Sequence, residues 1–249
     1  FNNYYILYFF INFEFFSKKM KFSIVIPVYN EEDNIKVLID EIKNELIQFN
    51  NQYEIIIVDD GSSDNTGKIL KQAIKDNLIL FKNDINLGQS YSLKKGIENS
   101  KSDIIVTIDG DLQNNPKDIP RMINTYYNKN LKLLGGIRRK RQDITTKKIA
   151  SYFANSIRKK ILNDDCDDTG CGLKVFDKKV FLNLSFFNGI HRFLPALFKA
   201  SNSNISYIEV DHRKRYMGYS KYGNFKRFLW GIRDIIKVMK IIKRIKNNE

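Results

Sequence analysis

Three clusters gather the carboxylates of this 249-residue chain where they could act together: Pro27-Val28-Tyr29-Asn30-Glu31-Glu32, Asp59-Asp60-Gly61-Ser62-Ser63-Asp64-Asn65-Thr66 and Asp109-Gly110-Asp111-Leu112-Gln113. Each directly follows an apolar, β-branched run. Singly, such Asp and Asn residues are ordinary turn formers, and Ser63 or Asp64 would cap the helix that follows. Three clusters at successive strand ends point instead to one shared site. The third is the most informative. Two carboxylates one residue apart make an oxygen-rich site for a hard divalent cation, and Mg²⁺ or Mn²⁺ commonly complete their shell with substrate phosphates. The chain carries 42 Lys and Arg against 28 Asp and Glu, a formal charge of +14. That balance favours an anionic partner, and an acidic cluster in such a protein implies a metal bridging the carboxylates to it.

The elements that must position these clusters are legible from hydrophobic periodicity. Phe22–Tyr29, Glu54–Val58, Leu78–Phe81 and Asp103–Ile108 are short apolar runs of the kind that form buried parallel strands. Helical spacing runs from Glu31 to Phe49, Asp64 to Ile74 and Ser90 to Asn99. Strand and helix alternate about every 25 residues, which predicts βαβ units and a parallel, doubly wound α/β sheet. In such sheets ligands bind beyond the carboxyl ends of the strands, where all three clusters fall. After Pro120 the signal is mixed: Leu131–Leu134, Gly172–Phe176 and Ile205–Val210 read as strands and Lys147–Leu162 as a helix. With no repeat and no Pro/Gly/Ser linker, the expectation is one domain plus a tail.

Composition excludes several classes. A 43% hydrophobic and 28% charged chain is globular, not collagenous, low-complexity or multi-span. Two cysteines, Cys166 and Cys171, are too few for a disulfide framework and fit a reducing compartment. There is no G-x-G-x-x-G after the first strand and no G-x-x-x-x-G-K-[ST], so neither a dinucleotide cradle nor a P-loop is present. Cys166, Cys171, His191 and His212 lack zinc-ligand spacing, and nothing supports a cysteine nucleophile.

The positive charge is concentrated at the end of the chain, where residues 212–249 hold twelve Lys and Arg against two Asp and Glu. Within them, Phe225, Phe228, Leu229, Ile232, Ile235, Ile236, Met239 and Ile242 follow a 3.6-residue period. Such a basic amphipathic helix either lies on an anionic membrane surface or packs on its own domain. A nucleic-acid-binding module would need aromatic residues interleaved with the cations over a face, which one terminal helix does not supply. At the other end, Phe1–Phe16 is apolar and aromatic, but Tyr4–Ile11 is far short of a ~18-residue span. Basic residues follow that run rather than precede it, unlike a signal peptide. Residues 1–19 are therefore expected to be an upstream or non-native leader or an incomplete start, with Met20 as initiator.

Taken in order, IPVYNEE, VDDGSSDNT, NLGQS and TIDGDLQNNP resemble glycosyltransferase family 2. LGGIRRKRQD, ANSIRKKILNDDCDDTGCGLKVF, HRFLPAL and HRKRYMGYSKYG resemble, within it, bacterial relatives of dolichyl-phosphate mannose synthase. The resemblance covers roughly Met20 to Lys240. It implies the GT-A fold, a Rossmann-like, mostly parallel sheet flanked by helices, with a catalytic domain over residues 20–211 and an acceptor loop and basic tail over 212–249. It also implies roles. Pro27, Tyr29, Glu31, Asp59 and Asp60 would hold base and ribose. Asp109 and Asp111, with Gln113, would hold Mg²⁺ or Mn²⁺ against the nucleotide-sugar, and Arg138 would lie near the sugar diphosphate. Lys147 and Ser151, with Arg215, Ser220 and Lys221 of a mobile loop, would meet the acceptor phosphate. Met217 falls where some members carry a second loop arginine, which would shift that contact to Arg213, Lys214 or Arg215. Gly110 stands where many members have Ala, a difference expected to be harmless.

The activity this implies is mannosyltransferase-like: inverting transfer of a sugar from a UDP- or GDP-sugar to a polyprenyl phosphate, for cell-envelope glycan synthesis. Asp111, Arg138 and Arg215 would carry catalysis, peripherally at the cytoplasmic face of the inner membrane. The alternative is a family 2 enzyme acting on a glycan or lipid hydroxyl, which would need a general base that a phosphate acceptor scarcely needs.

Overall fold

A computed structural model describes residues 22–50, 52–75, 77–138, 158–214 and 224–247, with residues 224–232 described by backbone alone. The expected leader and the segments holding Lys147, Ser151, Arg215, Met217, Ser220 and Lys221 lie outside the described residues.

Seven strands form one sheet, in the order β3 (Leu78–Lys82), β2 (Tyr53–Asp59), β1 (Phe22–Val28), β4 (Ile104–Thr107), β6 (Lys174–Asp177), β5 (Leu133–Arg138) and β7 (Ile205–Val210). All seven residues of β2 are buried, as a central parallel strand with both faces covered requires. Alternation assigns the faces. Ile24, Ile26 and Val28 of β1 enter one apolar cluster with Ile35, Leu38, Ile39 and Ile42 of helix α1 (Ile35–Glu45). Val25 points the other way, to Leu93 and Ile97 of α3 (Gln89–Glu98). Further helices among the described residues are α2 (Thr66–Ala73), α4 (Asp118–Asn128), α5 (Lys178–Asn183), α6 (Leu194–Ala200) and α7 (Asn224–Asn247), and residues 158–162 are helical as well. On the α3 face, Val238 and Ile241 of α7 join a cluster with Leu194, Leu197 and Phe198 of α6.

Two departures from the sequence reading have physical causes. The helix expected from Glu31 begins at Ile35 and ends at Glu45, with a separate 3₁₀ turn at Ile47–Phe49. The residues before it form a turn and are tied to the second cluster: the Glu31 carbonyl accepts from the N–H groups of Asn34 (3.0 Å) and Ile35 (2.9 Å), while the Glu31 N–H donates to Thr66 Oγ1 (2.8 Å) and the Asn30 N–H to Ser62 Oγ (2.9 Å). The second departure is direction. β6 runs antiparallel to both β4 and β5, while β5 and β7 are parallel. β5 therefore regains the direction of β4. The carboxyl ends of β1, β2, β4, β5 and β7 and the amino end of β6 consequently share one edge of the sheet.

Candidate active site

The first two clusters interlock at that edge. Besides the bonds above, the Asn65 N–H donates to Glu32 Oε2 (2.9 Å) and the Ser63 N–H to Asn30 Oδ1 (2.8 Å). Asp59 and Asp60 lie beneath the loops, only 1% and 3% exposed. Asp59 Oδ1 accepts from the Ser62 N–H at 2.9 Å. Asp60 takes bonds from Asn83 Nδ2 (2.7 Å) and the N–H groups of Leu87 (3.0 Å) and Gly88 (2.8 Å). These two carboxylates shape the loops. Pro27, Tyr29 and Glu31, half-buried, line the rim, and Glu31 Oε2 accepts from Asn34 Nδ2 at 2.7 Å.

The third cluster follows β4. The Gln113 N–H donates to Asp111 Oδ1 (3.1 Å), closing a tight turn in which Leu112 adopts a left-handed φ of 61°. Asp109 Oδ1 accepts from Gln89 Nε2 at 2.8 Å. Burial, then the neighbouring Asp111 charge, raise the Asp109 pKa to about 6, against the pull of Lys174 and Arg138. A Cβ at Gly110 would lie 2.8 Å from Val28 Cγ1, so an alanine there would require Val28 to shift.

Opposite Asp109 stands a cationic wall. The Arg138 guanidinium makes a two-pronged ion pair with Asp168 (Nε to Oδ2 2.6 Å, one terminal nitrogen to Oδ1 2.7 Å), and the Arg138 N–H also donates to Oδ2. Asp168 closes an acidic run, Asp164-Asp165-Cys166-Asp167-Asp168, that has metal-site composition but not metal-site geometry. Each of its carboxylates meets a different cation: Asp164 meets Arg158, Asp165 Lys199, Asp167 Lys159 and Asp168 Arg138. The run is thus an ion-paired clamp, each of its carboxylates tied to its own cation just ahead of Gly170–Gly172.

Lys174, the first residue of β6, is buried and donates to the carbonyls of Thr169 (3.4 Å) and Cys171. The sequence reading assigned it no role. Its signal in the sequence is a charge set directly before the apolar pair Val175-Phe176. Burial pushes the Cys171 thiol up to about 11 and Cys166 upward, so both are neutral thiols near pH 7.

Of the expected acceptor cations, Arg213 is held at the same edge, but by protein groups. Its N–H donates to the Gln113 carbonyl (2.8 Å), and its side chain bonds both oxygens of Glu41 (2.9 and 2.8 Å) and Asn115 Oδ1 (2.7 Å). The adjoining His212 pairs with Asn114 in an isolated bridge, tying the segment after β7 to the Asp109–Gln113 turn. Lys214 is exposed. A second unforeseen histidine lies close by: His191 Nδ1 sits 2.6 Å from Ser90 Oγ, one residue from the Gln89 that bonds Asp109. Burial, then Arg192 and Lys174, lower its pKa to about 3, so it is neutral near pH 7.

Among the described residues, no group of three or more His, Cys, Asp or Glu is placed to hold a metal. Two carboxylates and the Gln113 amide suit a different arrangement, in which Mg²⁺ or Mn²⁺ takes few protein ligands and shares the rest of its shell with water and phosphate oxygens. The raised Asp109 pKa fits this: it marks a carboxylate that burial, and then the Asp111 charge beside it, make costly to ionise without a cation.

The family model for glycosyl transferase family 2 matches residues 23–184, which span the interlocked loops, the Asp109–Asp111 pair and the ion-paired clamp. This chain belongs to that family. Family relatives include a dodecaprenyl-phosphate galacturonate synthase of Rhizobium johnstonii, 33% identical over 89% of this chain and 67% of that protein. An undecaprenyl-phosphate 4-deoxy-4-formamido-L-arabinose transferase of Proteus mirabilis is 36% identical over 85% of this chain and 65% of its own length. The chain thus spans about two thirds of these curated relatives. Among solved structures, glucosyl-3-phosphoglycerate synthase of Mycobacterium tuberculosis with Mg²⁺ and UDP superposes with a TM-score of 0.69 at 17% identity, over 92% of this chain and 81% of that one. The same synthase with Mn²⁺, UDP and glucosyl-3-phosphoglycerate gives 0.65 at 18% identity, over 91% and 81%. These likenesses establish the fold, which is the GT-A architecture expected from the motifs.

Proposed function

We propose that this chain is an inverting glycosyltransferase that moves a sugar from a nucleoside-diphosphate sugar to a polyprenyl phosphate. The observation that carries the reading is Asp109 and Asp111 at the shared strand edge, faced by Arg138 and Lys174. Both relatives above bear names of polyprenyl-phosphate sugar chemistry, which supports the acceptor class. They are named for galacturonate and formamido-arabinose, so mannose is one sugar among those to be tested.

In this reading Asp109, Asp111 and Gln113 would hold Mg²⁺ or Mn²⁺, which supplies neutralising charge to the leaving diphosphate. Pro27, Tyr29 and Glu31 line the nucleotide side, and Asp59 and Asp60 act there by shaping the loops. Arg138, oriented by Asp168, faces the diphosphate. Lys147, Ser151, Arg215, Ser220 and Lys221 are assigned to the acceptor phosphate, and Arg213, two residues before Arg215, is fixed by Glu41 and Asn115. A phosphate monoester has a second pKa of about 6 and is mostly dianionic at neutral pH, so its oxygen attacks without surrendering a proton. The acceptor oxygen–anomeric carbon bond forms as the carbon–diphosphate bond breaks, inverting the configuration and releasing the nucleoside diphosphate.

Residues 20–211 would form the catalytic unit and 212–249 the acceptor loop and tail, attached peripherally to the cytoplasmic face of the inner membrane. The support is the outer face of α7. While Val238 and Ile241 pack inward, Ile236 and Met239 stay about half exposed (50% and 48%), beside exposed Lys240 and Lys243. Among the described residues no helix is long and apolar enough to cross a membrane.

The test incubates purified protein with UDP- and GDP-sugars, undecaprenyl phosphate and Mg²⁺ or Mn²⁺, and reads the lipid product by mass spectrometry. The expected result is a lipid-phosphate sugar, lost with Asp111→Ala or excess chelator. Product formed only on a hydroxyl acceptor, or at full rate in chelator, overturns the reading.

A further inference from the structure

The tail helix also touches the edge site through a chain of short contacts. Asp234, buried on α7, accepts from an Arg192 guanidinium nitrogen at 2.6 Å. Both side chains close over Gly189, whose φ is +107°. A Cβ there would lie 2.9 Å from the Arg192 nitrogen and 2.9 Å from Asp234 Oδ2. The pair thus packs directly against the turn through Gly189–Arg192 and leaves no space for a side chain at residue 189.

That turn holds the start of α3. The Gly189 N–H donates to Ser90 Oγ (2.8 Å), and the same oxygen meets His191 Nδ1 (2.6 Å). Ser90 is fully buried. From the other side, Gly88 is tied to Asp60 through its N–H (2.8 Å). Gln89, between these two anchors, presents its amide to Asp109 Oδ1 at 2.8 Å. Every link from Asp234 to Asp109 is therefore a direct contact or a peptide neighbour.

We propose that Asp234 is a positioning residue for the carboxylate site: through Arg192 it locks the Gly189–Arg192 turn, and the turn holds Ser90 and Gln89 so that the Gln89 amide orients Asp109. The tail helix would then set the geometry of the metal site as well as carry the lipid-facing stripe, linking lipid engagement to donor binding. The inference rests on Asp109 being a metal ligand.

The test uses the full chain without lipid, so that membrane attachment does not contribute. Mn²⁺ affinity is measured by electron paramagnetic resonance, and amide hydrogen exchange is followed over residues 88–92 and 187–193. Asp234→Asn keeps the shape and removes the charge, and Arg192→Asp combined with Asp234→Arg swaps the pair. Couplings of this kind are worth about 2- to 30-fold in affinity. Asp234→Asn is expected to weaken Mn²⁺ binding within that range and to speed exchange at 88–92, and the swap to restore both in large part. Unchanged Mn²⁺ affinity in Asp234→Asn overturns the proposal. If the wild-type protein itself takes up no Mn²⁺, the metal reading fails and exchange alone decides: faster exchange at 88–92 in Asp234→Asn supports the coupling, and unchanged exchange overturns it.

Discussion

Gly172 and Asp109 are packed so closely that a Cβ on residue 172 would stand 2.2 Å from Asp109 Oδ2. The contact arises because β6 runs antiparallel beside β4, with Lys174 opposite Thr107, so the loop entering β6 lies across the end of β4. The Thr107 hydroxyl fastens it there by donating to the Gly172 carbonyl at 2.8 Å.

Gly172→Ala should therefore displace the Asp109 carboxylate rather than merely fill space. Changes that misorient a metal ligand typically cost about 10- to 100-fold in metal affinity or activity. We expect a loss in that range in Mn²⁺ affinity and turnover, with the far-ultraviolet circular dichroism spectrum unchanged. A variant with wild-type Mn²⁺ affinity would show that Asp109 moves freely.

Asp168→Asn should both destabilise the fold and slow the reaction. Arg138 and Asp168 are largely enclosed, with side chains 14% and 11% exposed. Removing one partner of a buried pair costs about 3 kcal/mol, mainly by stranding the remaining charge. Chemical denaturation reads the stability. If Arg138 meets the diphosphate as proposed, kinetics should show kcat falling more than the nucleotide-sugar KM rises, because the guanidinium loses the partner that orients it. Wild-type kinetics in a destabilised variant would confine the pair to a structural role.

The pH dependence of metal stabilisation follows from Asp109. Its folded pKa of about 6 lies above the ordinary ~3.9 of an unfolded aspartate, so the folded state holds this proton more tightly. Apoprotein stability from this group is present at low pH and is lost as pH rises from about 4 through 6. His191 acts in the opposite sense: its depressed folded pKa costs stability as pH falls from about 6.5 toward 3. Subtracting melting temperatures with and without Mn²⁺ cancels groups that the metal does not touch. The Mn²⁺-induced rise in Tm should be large near pH 7.5 and small near pH 5, where a proton competes for Asp109. Equal rises at both pH values would place the ion elsewhere.

Attachment through α7 should depend on its outer face alone. Lys240→Gln with Lys243→Gln changes exposed residues only, so stability should stay within about 0.5 kcal/mol of wild type. Each basic residue near an anionic surface contributes about 1 kcal/mol, so partition onto anionic liposomes should fall about 30-fold for the two. The loss should shrink at high salt as screening removes the attraction. Unchanged partition would mean that α7 serves only as packing for α6.

The sequence by itself determined the elements whose signal is local. Apolar runs of four to seven residues define β1, β2 and β4, and turn-forming Asp, Asn and Gly follow them directly, so three clusters at strand ends imply one shared edge without coordinates. Asp109 and Asp111 were legible for that reason, and the ordered motifs placed the chain in its family. Tertiary structure decided whatever depends on groups distant along the chain. The loop before helix α1 is anchored across the chain, the Glu31 N–H donating to Thr66 35 positions later. Arg213 is held by protein groups because the fold brings Glu41, 172 positions earlier, against it. Lys174 joins the site because β6 reverses direction, and Asp168 rather than Asp164 orients Arg138 because the four carboxylates of one run are allotted to cations from three separate stretches, Arg138, Arg158 with Lys159, and Lys199. Helical and strand periods report which face of an element is apolar, because that depends on the residue's own position. They carry no record of which buried ion finds which partner, because that free energy exists only once the chain has closed around both.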